Sequence, residues 1–179
     1  MDDAELLIQF REPATREKAY TALIRKYQER LYWHIRRMVV DHDDSNDVLQ
    51  NVFIRVWNGL DNFRADAKLY TWLYRIATNE CLTFLEQKKK KAAVSLSDVE
   101  EGLSNQIKAD KDFDANKIEW KLQLAIQQLP EKQRLVFTLR YYDEMPYEEM
   151  SKVLDTSEGA LKASYHHAVK KIEDFILNH

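Results

Sequence analysis

Apolar residues recur at steps of three and four through almost the whole of this 179-residue chain, and very little in it would interrupt a helix. Ala19, Tyr20, Leu23, Ile24 and Tyr27 form one stripe, and Leu31, Ile35 and Met38 form the next. Leu69, Leu73, Ile76, Ala77 and Phe84 form another. Such spacing gives each helix one apolar face. Strict alternation, the mark of a half-buried strand, is absent over any useful length. Three glycines and three prolines are too few for the turns of a sheet protein of this size. The chain is therefore expected to be all-α. The segment Ser45–Asn58 stands apart, because Val48, Leu49, Val52, Phe53, Val56 and Trp57 surround most of its circumference. That pattern predicts a helix buried on one side and covered by a partner on another.

The periodicity stops at Lys88–Lys91. From there to about residue 115 the chain is rich in Asp, Ser and Lys, with Phe113 as its one aromatic, which reads as a linker. Helical spacing returns with Ile118, Leu122, Ala125, Ile126 and Leu129. Pro130 is placed to open a helix carrying Leu135, Val136 and Leu139. The expected layout is two small helical domains joined by a flexible polar linker: a helical bundle over 1–91, a tether over 92–116, and a helix-turn-helix domain over 117–179.

The C-terminal domain carries the clearest motif. A short helix beginning near Pro146 bears Tyr147, Met150, Val153 and Leu154. Asp155, Thr156 and Ser157 can turn the chain and cap a last helix bearing Leu161, Tyr165, Ala168, Ile172 and Phe175. With Leu161 facing inward, Gly159, Lys162, Ala163, His166, His167 and Lys170 face outward. Small residues admit close approach of a duplex, and the cations and imidazoles can reach phosphates or bases. The same spacing also fits a plain three-helix bundle with a solvated face, and Asp143, Glu148, Glu149 and Glu158 oppose a strong independent grip. His166 and His167 point about 100° apart on a helix, so they do not suggest a metal pair.

Two N-terminal stretches also carry chemistry. Asp44, Asp47, Asn51 and Arg55 line one edge of a helix, with Gln50 and Phe53 beside them, as at a helix-on-helix protein interface; a solvated charged face is the plainer alternative. From Phe63 to Lys91, the aromatics Phe63, Tyr70, Trp72 and Tyr74 interleave with Arg64, Lys68, Arg75 and the lysine run. Stacking platforms with cations suit single-stranded DNA, although Trp72 and Tyr74 could equally be core.

Charge and cysteine content bound the rest. A net charge of −3 is unusual for a free-standing DNA binder, so DNA contact must rest on local patches or on a partner that supplies phosphate contacts. Cys81 alone allows no internal disulfide and fits a reducing, cytoplasmic setting. No stretch approaches the roughly 20 apolar residues of a membrane span, so no direct membrane insertion is expected. No phosphate loop, nucleophile set or ligand-spaced cluster is visible, so neither an enzyme nor a cofactor or metal is expected.

At these segments the chain resembles the extracytoplasmic-function group of bacterial RNA polymerase sigma factors. The resemblance spans nearly the whole chain, and both conserved family regions occur in order. It implies that Asp44, Asp47, Val48, Gln50, Asn51, Phe53, Ile54 and Trp57 serve core RNA polymerase binding. It implies that Phe63, Arg64, Lys68, Tyr70, Trp72, Arg75 and Asn79 recognise and melt the minus-ten promoter element, with a flipped base received by the loop at 64–69. Tyr147, Glu148, Glu158, Gly159, Lys162, Ala163, Ser164, His166, His167 and Lys170 become the helix-turn-helix contacts to minus-thirty-five duplex. Implied partners are core RNA polymerase, promoter DNA as duplex and as melted single strand, and an anti-sigma factor. Ser164, His167 and Val169 stand where the family often has arginine, which implies a weaker or altered upstream grip, and Asn51 stands where an acid is commoner. Two other functions fit parts of the pattern: a helix-turn-helix regulator acting without polymerase, and a helical adaptor with no DNA role.

Overall fold

The computed structural model describes residues 1–64, 67–92 and 117–178, and every regular element among them is a helix. They are α1 (Asp3–Arg11), α2 (Arg16–Val39), α3 (His42–Gly59), a 3₁₀ turn (Leu60–Asn62), α4 (Leu69–Ala92), α5 (Lys117–Gln128), α6 (Glu131–Tyr141), α7 (Tyr147–Leu154) and α8 (Glu158–Asn178). The chain divides into two compact units, Met1–Thr83 and Phe84–His179. The tether expected at 92–116 lies outside the described residues apart from Ala92. The lysine run does not begin it: α4 continues through Lys88–Lys91, where cations at a helix C-terminus favour the macrodipole.

In the N-terminal unit the apolar stripes become the core. Leu23, Leu31, Ile35 and Met38 of α2 are at most 1% exposed, as are Val52 and Val56 of α3 and Leu73 and Ala77 of α4. The sequence gives little hint of α1, but Leu6 and Phe10 are buried one turn apart. Asp2 caps α1 by accepting from the Glu5 amide at 2.8 Å. Asp41 does the same for α3 through the Asp44 amide at 2.8 Å, meeting a backbone donor that the helix leaves unpaired.

The C-terminal unit packs α5, α6 and α8 around Ala125, Ile126, Leu129, Phe137, Ala168 and Ile172. Pro130 sits one residue before α6 and Pro146 one before α7. Asp155, in left-handed conformation at φ 51°, ends α7. Ser151 donates its hydroxyl to the Thr156 carbonyl at 2.6 Å, and the Ser157 hydroxyl accepts from the Ala160 amide at 3.2 Å. The expected turn and cap at 155–157 are thus formed, and they fix how α8 follows α7.

Among the described residues no helix is long and apolar enough to cross a membrane, and no group of three or more His, Cys, Asp or Glu could hold a metal ion.

Candidate functional site

Three surfaces collect the residues singled out by sequence. The first is the outer side of α3. Asp47, Gln50, Asn51 and Ile54 are exposed there, Ile54 at 58%, and Asp44 is half-buried. Beside them an open groove of about 540 Å³ runs between Tyr20 and Ile24 of α2 and Leu49, Gln50, Phe53 and Ile54 of α3. Tyr20 closes its floor by donating its hydroxyl to the Phe53 carbonyl at 2.7 Å, and burial pushes that phenol's pKa up. Acidic and amide groups on one side with apolar walls on the other suit an amphipathic helix carrying basic residues.

Three residues assigned to this surface are taken up largely by packing. Val48 is 2% exposed and Phe53 7%, so both are mainly core. Trp57 meets Phe10 and Tyr20 edge-on, with ring centroids 5.4 and 4.9 Å away. The Arg16 guanidinium lies 4.0 Å from the Phe10 ring and 4.6 Å from the Trp57 ring. Trp57 therefore knits α1, α2 and α3 together.

The second surface follows the 3₁₀ turn. Arg64, Lys68, Arg75 and Asn79 are exposed, and Tyr70 is half-buried. Phe63 is only 6% exposed and packs on half-buried Trp72 at 5.4 Å between centroids. The Trp72 ring rests over Gly59, where an added Cβ would lie 3.3 Å from it. Tyr74 is fully buried, which settles it as core. Its neighbour His34, also fully buried, shares a 2.9 Å hydrogen bond with the Thr78 hydroxyl, and burial holds the imidazole pKa down at about 3. Residue by residue, Phe63 and Tyr74 supply scaffold, Tyr70 and Trp72 stay half-buried, and the cations supply the exposed surface. Sequence reasoning missed Arg30, whose guanidinium lies 5.8 Å from the Tyr70 ring and 5.9 Å from the Tyr74 ring, adding a cation from α2. No linear pattern joins α2 to that segment.

The third surface is α8. Glu158, Gly159, Lys162, Ala163, His166, His167 and Lys170 are all exposed and Ser164 is half-buried, opposite buried Leu161, Ala168 and Ile172. An added Cβ at Gly159 would meet nothing within 4 Å. At the start of α7, Glu148 is exposed and the half-buried Tyr147 ring has the Arg140 guanidinium at 4.9 Å and the Lys162 ammonium at 5.7 Å. Arg140 also donates to the Met145 carbonyl at 3.1 Å, bracing the turn into α7. Sequence reasoning missed Arg140, because a cation in the last turn of α6 is already accounted for by the helix end.

Fold and surfaces define a helix-turn-helix protein with a second helical unit that bears its own open groove. The sigma-70 region 2 family matches residues 23–91, and the sigma-70 region 4 family matches residues 119–172. The chain is 32% identical over 165 residues to the RNA polymerase sigma-H factor of Pseudomonas aeruginosa, an alignment covering 88% of this chain and 86% of that one. It is 30% identical over 169 residues to the ECF RNA polymerase sigma-E factor of Escherichia coli K12, with the same coverage of 88% and 86%. In fold it is similar to CnrH solved with the cytosolic domain of CnrY, at TM-score 0.69 and 21% identity over 97% of this chain and 96% of that one. The sigma factor RpoE of Bartonella quintana, solved with the anti-sigma factor NepR, also gives a TM-score of 0.69, at 15% identity over 89% and 97% of the two chains. The chain belongs to the extracytoplasmic-function group of RNA polymerase sigma factors. Such proteins are DNA-binding factors for promoter-directed transcription initiation and not enzymes.

Proposed function

We propose that the two units divide promoter recognition between them and act while held by core RNA polymerase. The N-terminal domain, 1–91, docks on the polymerase through Asp44, Asp47, Gln50, Asn51 and Ile54 and the groove they flank. Its second surface captures unstacked minus-ten bases: Arg64, Lys68, Arg75 and Asn79 hold the strand, and Tyr70 and the edge of Trp72 offer stacking faces. Unstacking costs a few kcal/mol, which such contacts can offset. The C-terminal domain, 117–179, lays α8 in the major groove of minus-thirty-five duplex, with Gly159 and Ala163 permitting approach and Lys162 and Lys170 on phosphates. Working with polymerase, the factor acts in the cytoplasm. An anti-sigma factor covering the α3 groove would silence it, in keeping with the partners in the CnrH and RpoE complexes.

The observation that carries this reading is that an exposed acidic and amide face on α3 and a face of small and basic residues on α8 lie on separate units, one within each matched region. The net charge of −3 supports it, because a chain so poor in excess cations depends on a partner for phosphate attraction. Transcription by core polymerase over a genomic fragment library, with and without the chain, tests it. New start sites sharing paired upstream elements are expected; an unchanged start-site profile would refute it.

A further inference from the structure

The first 22 residues lie outside the region 2 match, yet they reach the base of the proposed melting loop. Arg11, the last residue of α1, donates Nη2 to the Phe63 carbonyl at 3.3 Å. Arg16, the first residue of α2, donates Nη1 to both carboxylate oxygens of Asp61, at 3.0 and 2.9 Å, and Nη2 to the Trp57 carbonyl at 3.4 Å. Asp61 lies in the 3₁₀ turn, and Phe63 is the residue that ends it. Both arginines therefore hold the stretch of backbone from which Arg64 departs. They are themselves held. The Thr15 hydroxyl donates to the Gln9 carbonyl at 2.7 Å, closing the turn between them. At the far end of α1, Asp3 accepts from Lys26 and Tyr27, each at 2.7 Å, and so pins α1 to α2. The Arg16 guanidinium is further fixed between the Phe10 and Trp57 rings.

The Phe63 amide closes the 3₁₀ turn on the Leu60 carbonyl at 3.1 Å, so the turn forms without the arginine, and an exposed Arg11 adds nothing to the core. What the pair determines is the direction in which the chain leaves α3. We infer that Arg11 and Arg16 are positioning residues for promoter opening, fixing the backbone at 61–63, at the foot of the proposed melting loop, so that Arg64 meets an unstacked base. The assignment rests on the function proposed for that loop, and it makes α1 part of the opening machinery rather than a cover on the bundle.

Full-length chain with core polymerase provides the test, on a promoter mapped by run-off transcription. Permanganate reactivity of thymines reports opening, and fluorescence anisotropy reports core affinity. Arg11→Gln should lower the open fraction by about five-fold, the loss expected for a partly exposed charged hydrogen bond, while core affinity stays unchanged. Arg11→Lys, which can still donate to the carbonyl, should restore most of the opening. Asp61→Asn, which removes the ion pair without creating a cavity, should lower opening in the same way. Opening by Arg11→Gln equal to the unsubstituted chain overturns the inference, as does a matched loss of core affinity. A direct phosphate contact would lower the salt dependence of DNA binding by about one unit of slope; positioning leaves it unchanged, so a lowered slope also overturns it. If the unsubstituted chain opens no promoter, the proposed function falls and takes this assignment with it.

Discussion

Helices α3 and α8 both carry residues proposed to bind, but they carry them differently. On α8 seven of the assigned residues are exposed and Ser164 is half-buried, while the core side is built from other positions, Leu161, Ala168 and Ile172. On α3 the assigned set is split. Asp47, Gln50, Asn51 and Ile54 face solvent, whereas Val48 and Phe53 are core and Trp57 is locked among Phe10, Tyr20 and Arg16. A helix packed along one side can divide recognition from packing residue by residue. A helix embedded in a bundle that must also dock a partner makes some residues serve both. Substitution therefore reads binding cleanly on α8, and on α3 only at positions chosen for exposure.

The largest expected effect comes from the buried side of the N-terminal unit. Desolvation, with the charge of Arg37 second, lowers the His34 pKa to about 3, so the folded chain refuses a proton that an unfolded chain accepts near pH 6.5. The folded state bears no penalty from His34 above about pH 6.5. Between there and about pH 3 this residue should cost about 1.4 kcal/mol of stability per pH unit lowered. Urea unfolding at a series of pH values should show His34→Gln with a slope flatter by one proton over that window. An identical slope would mean that His34 is not held neutral.

Next in size is a matched pair on α3. Phe53→Ala should cost about 3 kcal/mol of unfolding free energy as well as polymerase affinity. Asp47→Ala should leave stability within about 0.5 kcal/mol while weakening core binding at least about tenfold. Should Asp47→Ala destabilise the fold as Phe53→Ala does, the division of α3 into core and docking sides is wrong. Smallest is Lys162→Gln on α8. It should weaken upstream duplex binding modestly and evenly across sequences, and lower the salt dependence of polymerase-bound DNA affinity by about one unit of slope. A change in sequence preference instead would place Lys162 on a base edge.

The helices were legible because their apolar spacing survives in every amphipathic element: Leu23, Leu31, Ile35, Val52, Leu73 and Ile126 read as core and are core. The helix-turn-helix was legible from Pro146, the Asp155–Ser157 turn and the small outward residues after it. Helix α1 was not, because nine residues with only Leu6 and Phe10 buried give too weak a period. Nor were the buried charges. Arg36 is fully buried and Arg134 is 5% exposed; Arg36 donates to the Tyr32 hydroxyl at 2.8 Å and Arg134 to the Gln127 side chain at 2.7 Å. An arginine stripe reads as solvated unless its partner is known, and these partners depend on how the helix turns. The aromatics of 63–74 exposed the same limit. Composition offered them as stacking platforms, but packing sent Tyr74 and most of Phe63 inside and left cations at the surface, with Arg30 joining from a distant helix.

In the function proposed above, both helices serve one arrangement, in which weakly adhesive modules read DNA only when polymerase sets their spacing. Promoter affinity of the chain alone and of the chain with core polymerase, measured in the same salt, tests this most directly. The chain alone should bind in the non-specific range, at about 10⁻⁶ M or weaker, and addition of core polymerase should tighten specific binding at least about a hundredfold. Equal, sequence-specific affinity with and without polymerase would contradict it.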